Sequence, residues 1–257
     1  MSAVSTVVVT RPAADAAHWA EQLRAQGLTA LVLPLIEIAP VLAPSDLRVR
    51  WQQLPDYAAL MFVSGNAVEH FFCGQAMDWP AHVRCLAPGP GTGRRLREFG
   101  VPQACIDQPA PDAPQFDSES LWQVIGQRPW AGRRVLVVRG RSQGDEASSG
   151  RDWLMHKLEQ AQARVEAIAV YERRAPQWSA AQLGAMAQAC ADGSLWLLSS
   201  SQALSHLPPG LDLSCARALA THPRIAQAAL KAGFSQVFQS RPTLPEVIAS
   251  IKSLTHD

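Results

Sequence analysis

The chain repeats itself once, at about half its length, and that feature limits its fold more than any single motif. Thr6-Val-Val-Val-Thr-Arg-Pro12 followed by Trp19-Ala-Glu-Gln-Leu23 resembles Val135-Leu-Val-Val-Arg-Gly140 followed by Trp153-Leu-Met-His-Lys-Leu158. Leu33-Pro-Leu-Ile-Glu-Ile-Ala-Pro40 has the spacing of Ala169-Val-Tyr-Glu-Arg-Arg-Ala-Pro176. Phe62-Val-Ser-Gly-Asn-Ala-Val68 pairs with Leu198-Ser-Ser-Ser-Gln-Ala-Leu204, and Arg84–Gly93 with Arg217–Ala226. The offsets cluster around 128 to 136 in a chain of 257 residues. A period that long describes two large copies, not the stacked short units of a solenoid.

Within each copy, short β-branched runs alternate with stretches whose apolar residues recur at three and four spacing. Strand candidates are Thr6–Thr10, Thr29–Leu33, Ala58–Val63, Val83–Ala87, Ala104–Asp107, Arg134–Arg139, Arg164–Ala169, Leu195–Ser199, Arg217–Ala220 and Gln236–Gln239. This alternation calls for parallel sheets covered by helices on both faces, with right-handed crossovers. The expected class is α/β, with two similar units and a cleft between them.

Leu35–Val41 and Ile168–Arg174 are extended, half-polar and equivalent in the repeat, and they fit neither sheet cleanly. Pairing them as a two-stranded connector makes the chain cross between domains twice. Residues 1–35 and 175–257 then form one discontinuous domain, residues 41–167 the other, and 35–41 with 168–174 the connector. Pro109–Pro114 reads as a loop, and Gly140–Gly150 as a longer mobile one.

A formal net charge of +1 gives no bulk case for nucleic acid or a membrane surface. No apolar run approaches the roughly 20 residues of a membrane span. Five scattered cysteines without a CxxC argue for a reducing compartment, and Met1–Pro12 lacks the basic and apolar regions of a signal peptide. The chain reads as cytoplasmic.

The chemistry-bearing motifs sit where strands become helices. Gly89-Pro-Gly-Thr-Gly93 ends a strand and opens a helix, where free N–H groups and the helix dipole attract anions. Read plainly, it is a tight turn, and it lacks the lysine of a phosphate loop. Ser64-Gly-Asn-Ala67 and Ser199-Ser-Ser-Gln-Ala203 are equally well explained as helix N-caps. The two readings are compatible, because the carboxyl ends of parallel strands are where open α/β sheets bind ligands.

No GxSxG elbow, HxxxH or HExxH appears, so neither a nucleophile–base pair nor a metal set is indicated. His156 reads as a helix-surface residue, and the eight tryptophans fall at core spacing. Tyr171, one of only two tyrosines, lies in the connector beside Glu172-Arg173-Arg174. It packs on a hinge or it faces the space between domains with some access to solvent.

Taken in order, these pieces resemble the uroporphyrinogen-III synthase family across essentially the whole chain. The matching segments are Val8–Pro12, Pro34–Ile38, Phe62–Val68, Thr92, Glu119 with Leu121, Val135–Gly140, Gly150-Arg151, Val170–Arg173, Ser199–Ser201, and Arg224–Ala226 through Gly233-Phe234. The resemblance implies two Rossmann-like or flavodoxin-like domains joined by a two-stranded connector, with the active site in the inter-domain cleft. It implies hydroxymethylbilane as substrate, a linear tetrapyrrole octacarboxylate, and no cofactor or metal. It also implies a lyase that works as a monomer, and it leaves open transient contact with hydroxymethylbilane synthase.

On this resemblance Tyr171 is the catalytic acid that protonates the departing hydroxyl. A pyrrole lone pair expels that hydroxyl to leave an azafulvene. The last ring then attacks through its substituted carbon, and a spiro intermediate fragments and recloses with that ring inverted. Substrate binding falls to Arg11, Ser64, Gly65, Asn66, Gly91, Thr92, Arg139, Gly140, Ser199, Ser200, Ser201, His222 and Arg224. Ile225 replaces a hydroxyl residue common in the family, and Val63 stands where many members have threonine. The rival reading is a two-lobed effector module that binds a small anion without catalysis.

Overall fold

The computed structural model describes residues 6–75, 77–110, 113, 115–142 and 149–256. Contacts divide the chain into two compact units, one of residues 1–37 with 174–257 and the other of residues 38–173. The chain therefore passes between them twice, at Glu37/Ile38 and at Arg173/Arg174.

In the first unit the elements are β1 (Val7–Val9), α1 (Ala13–Ala25) and β2 (Ala30–Val32). After the second crossing come α7 (Ala180–Ala191), β9 (Leu195–Leu198), α8 (Ser201–Leu204), β10 (Arg217–Ala220), α9 (Pro223–Ala232), β11 (Gln236–Gln239) and α10 (Leu244–His256). The second unit holds β3 (Glu37–Pro40), α2 (Pro44–Gln52), β4 (Ala59–Phe62), α3 (Gly65–Phe72), β5 (Arg84–Leu86) and α4 (Pro90–Glu98). It continues with β6 (Ile106–Asp107), α5 (Ser118–Ile125), β7 (Arg134–Ser142), α6 (Ser149–Gln160) and β8 (Arg164–Arg174).

The first sheet runs β11-β10-β9-β1-β2, with every pairing parallel. Counted along the chain within that unit, the order is 2-1-3-4-5, the flavodoxin-like doubly wound order. The second sheet runs β3-β8-β7-β4-β5-β6. Mapped through the repeat, β7 and β8 answer to β1 and β2, and β4, β5 and β6 answer to β9, β10 and β11. The two sheets thus have one topology. Each unit joins an adjacent pair of strands from one copy of the repeat (β1 and β2, or β7 and β8) to three from the other (β9, β10 and β11, or β4, β5 and β6), and β3 adds a sixth strand to the second sheet. The repeated halves of the sequence are not the folding units.

Alternation along the strands produces two buried faces per sheet. In the second unit Leu60, Phe62, Leu136 and Val138 face α3 and α4, and Ala59, Met61, Val135 and Val137 face α5 and α6. In the first unit Val7, Val9, Leu195 and Leu197 pack with α1 and α10, while Trp196 on the other face meets Phe234 edge-on at 6.0 Å. Four of the eight tryptophans, Trp19, Trp79, Trp130 and Trp196, are buried, and Trp51, Trp122 and Trp153 pack partly buried against the core. His156 is exposed beside Glu159, as a surface helix residue should be.

Three segments differ from the sequence reading. β3 pairs with β8, so the two connector segments lie side by side as expected, but residues 164–174 form one continuous strand and both segments are thereby part of the six-stranded sheet. Gly140 to Ser142 continue β7 and are not loop, because Arg139 through Ser142 keep pairing with β8. Residues 143–148 of the expected mobile loop, and Pro111, Asp112 and Pro114 of the proline-rich one, lie outside the described residues. Among the described residues no helix is long and apolar enough to cross a membrane.

Candidate functional site

The site in the second unit begins with how α3 is anchored. Phe71 and Phe72 point into the core, where Phe62 meets Phe71 at 5.4 Å and Phe72 stacks on Phe99 at 5.1 Å. Burying a phenylalanine side chain contributes about 1.5–3 kcal/mol relative to leaving it exposed, so α3 has little freedom to slide. Its first turn is fixed by Ser64, whose Oγ accepts from Ala67 N–H at 3.2 Å. Ser64, Gly65 and Asn66 are therefore held at the carboxyl end of β4, beside β7.

Tyr171 reaches this point through an irregularity in β8. Pairing with β7 runs from Arg134↔Arg164 to Arg139↔Ala169, then resumes at Gly140↔Tyr171, leaving Val170 extra. Strict alternation would send Tyr171 to the face opposite Ile168 and Val170. The bulge changes the parity, and all three side chains lie in one core cluster with α3. The phenol ring crosses directly over Gly140, where an added Cβ would come within 2.3 Å of the ring. Gly140 therefore serves as the space the tyrosine occupies, a role the sequence reading did not give it.

Three further contacts fix the ring. Tyr171 Oη lies 3.1 Å from Ser64 Oγ and accepts from Arg173 Nη2 at 2.7 Å. His70 of α3 stacks on the ring at 5.6 Å, 26° from parallel. Tyr171 is fully buried, which corrects the expectation that its hydroxyl is open to solvent. Ser64 and Arg173 are half-buried.

Burial pushes the His70 imidazole below its ordinary range, only partly opposed by Glu69, so it packs on the phenol as a neutral ring. The unfolded chain binds a proton at His70 more readily than the folded one, so the stability from this packing is present above the unfolded imidazole range and lost as pH falls through the lowered folded value. Wild-type protein should thus lose more thermal stability between pH 7.5 and 5.5 than His70→Gln. Parallel melting curves for the two proteins would refute this.

The remaining sequence-predicted residues of this unit line the same sheet end. Gly91 and Thr92 form the first turn of α4 after β5, with Thr92 buried. Arg139 sits one residue before the bulge, in register with Ala169 and not with Tyr171. In the first unit Arg11 follows β1, and Ser199–Ser201 follow β9, with Ser200 capping α8. His222 caps α9 by accepting from Arg224 N–H at 3.1 Å, and the side chains of His222 and Arg224 are exposed. Arg11 lies over Trp19 at 4.1 Å. Its Nε is buried and has no hydrogen-bond partner among the described residues, and burial lowers its pKa against the opposing pull of Asp15. Arg151 lies in α6, but its side chain is outside the described residues.

Direct contact thus joins Ser64, Gly140 and Tyr171, and it adds His70 and Arg173, which the residue-by-residue reading did not single out. Arg173 was legible, since two residues apart on a strand share a face. His70 was not, because only the packing of α3 against the bulge brings it to the phenol. Among the described residues no group of three His, Cys, Asp or Glu side chains is placed to hold a metal ion. The chemistry on offer is hydrogen bonding and proton donation by hydroxyls, with guanidinium groups at the carboxyl ends of the strands.

A family model described as uroporphyrinogen-III synthase HemD matches residues 17–249. A uroporphyrinogen-III synthase of Synechococcus elongatus is 30% identical over 176 residues, 66% of this chain and 61% of the relative. One from Chlorobaculum parvum is 31% identical over 145 residues, 53% of this chain and 54% of the relative. The chain therefore spans somewhat more than half the length of these two curated relatives. The crystal structure of a uroporphyrinogen-III synthetase from Helicobacter pylori 26695 superposes with a TM-score of 0.60 at 15% identity, covering 99% of this chain and 100% of the other. At that identity the likeness establishes the two-domain fold alone.

Proposed function

Because the chain belongs to the uroporphyrinogen-III synthase family, we propose that it cyclises and dehydrates hydroxymethylbilane to uroporphyrinogen III, inverting the last ring through a spiro intermediate. The match of the family model over residues 17–249 carries this reading. On it the protein is a lyase, a cytoplasmic monomer that needs neither cofactor nor metal. Transient contact with hydroxymethylbilane synthase would suit an unstable substrate.

The site chemistry supports the reading. A leaving hydroxyl activated by its own pyrrole needs a proton donor and no strong base, and the Arg173–Tyr171–Ser64 chain ends in a donor of that kind. The harder task is conformational, since the same cation also closes without inversion. Hydroxyls, backbone N–H groups and arginines at two sheet ends suit that task. Gly65, Asn66, Gly91, Thr92 and Arg139 on one unit, with Arg11, Ser199, Ser200, Ser201, His222 and Arg224 on the other, grip carboxylates at many points. Arg11 is the strongest candidate among the arginines, because its buried Nε lacks a partner among the described residues. A non-catalytic anion-binding module has no use for a buried phenol bonded to a half-exposed serine.

A coupled assay tests this. Supplied with bilane made in place by a deaminase, the protein should yield the type III isomer by chromatography without added metal or nucleotide. Accumulation of only the non-inverted isomer, at the spontaneous rate, would sink the assignment.

A further inference from the structure

The oxygen atoms of Ser64 and Tyr171 lie 3.1 Å apart, and by distance alone either could donate. Their surroundings choose between the two directions. Arg173 Nη2, 2.7 Å from the phenol oxygen, can only donate. Ala67 N–H, 3.2 Å from Ser64 Oγ, can only donate as well. Each oxygen therefore already accepts one hydrogen bond before the proton between them is placed.

Suppose Ser64 donated to Tyr171. The phenol would then accept two hydrogen bonds, and its own proton would need a third neighbour. Tyr171 is fully buried and has no further hydrogen-bond partner among the described residues. A buried donor left without an acceptor is the arrangement folded proteins avoid most consistently. In the opposite direction Tyr171 donates to Ser64, and both phenol hydrogen-bonding roles are filled. Ser64 Oγ then accepts from Tyr171 and from Ala67. Its own proton is left over, on a half-buried residue at the carboxyl end of β4.

We propose that Ser64, not Tyr171, is the catalytic residue that hands the proton to the leaving hydroxyl, at the end of a one-way chain Arg173→Tyr171→Ser64. The inference rests on the proposed synthase activity for the destination of the proton, but not for the direction of the chain. Tyr171 and Arg173 are positioning residues, since neither touches the reacting atoms. In the step itself, the carbon–oxygen bond of the hydroxymethyl group breaks and its electron pair leaves on oxygen. The pyrrole nitrogen lone pair makes up the deficit, leaving a cationic azafulvene. The Ser64 proton joins the departing oxygen to form water, Ser64 takes the proton of Tyr171, and the phenolate remains beside the Arg173 guanidinium. After the ring inverts and recloses at its free α-carbon, that carbon loses its proton to restore the pyrrole. The same proton returns through Ser64 to Tyr171, so the cycle closes without an outside acid or base.

Neutron diffraction from deuterated crystals of the full chain reads the direction without any substrate. Deuterium on the phenol oxygen aimed at Ser64 is expected, and deuterium on the serine oxygen aimed at Tyr171 would overturn the proposal. Single-turnover kinetics read the role. Ser64→Gly keeps a good helix cap, which protects the fold. It should lose about as much rate as Tyr171→Phe, on the order of 10²-fold. Because the two groups act in series, the double variant should lose no more than about twofold further. Ser64→Thr, which keeps both cap and hydroxyl, should restore most of the rate. A Ser64→Gly protein with near wild-type rate beside an impaired Tyr171→Phe would overturn the proposal and return the acid to Tyr171. A wild-type protein that forms no inverted isomer would defeat the synthase reading and with it the proton's destination, while the neutron density would still decide the direction.

Discussion

Gly140→Ala should abolish most of the activity, lowering single-turnover rate by about 10²-fold or more, the scale expected when a displaced neighbour misplaces the reacting groups by about 1 Å. The added Cβ would lie 2.3, 2.4 and 2.8 Å from three atoms of the Tyr171 ring. A flexible side-chain end could move aside at little cost, but this ring is held on several sides. His70 stacks on it, and Arg173 and Ser64 bond its hydroxyl. The ring therefore shifts as a body, and the short bond from Arg173 and the alignment with Ser64 are lost together. Overpacking of this kind also costs about 1–3 kcal/mol of stability. Gly184→Ala is the control, since nothing lies within 4 Å of its Cβ in α7, and alanine there should leave the rate alone. Wild-type rate and stability in Gly140→Ala would show that the tyrosine is not confined as described.

Tyr171→Phe should lower turnover by about 10²-fold, the lower end of what general acid assistance contributes, with the type III isomer still the product. The fold should survive. Loss of the hydroxyl removes one neutral hydrogen bond and one from a guanidinium, but Arg173 and Ser64 are half-buried and can turn to water, which limits the cost to about 0.5–1.5 kcal/mol. Had the phenol been open to solvent, a water molecule could have taken its place and the penalty would have been smaller. Its burial under α3 removes that escape. Isomer identity should be retained because inversion depends on how the whole substrate is gripped. Unchanged single-turnover rate in Tyr171→Phe, or a switch to the non-inverted isomer, would contradict this account.

Much of the architecture was legible in the sequence because it depends on local periodicity. Unbroken apolar runs such as Val7–Val9 and Leu195–Leu198, each followed by a helical stretch, mark short strands buried on both faces, which is the pattern of a parallel sheet covered by helices. Serine at the starts of α3 and α8 marks their N-caps for the same local reason. The repeat fixed the two-unit character, and the order of motifs pointed to the family. None of these signals depends on which strand lies beside which.

What only the tertiary structure decided is the exchange of strands between the repeat copies and the position of Tyr171. Strand pairing is a long-range choice, and β4 pairs with β7 and not with β1 because each sheet is completed across the repeat boundary. Side-chain direction along a strand follows from register. One extra residue at Val170 reverses it, and nothing in Ala169-Val-Tyr-Glu172 announces that bulge. The sequence by itself named Tyr171, Ser64 and Gly140 as separate candidates on three segments. The register shift made them a single contact, burying the phenol against Gly140 and bonding it to the half-buried Ser64.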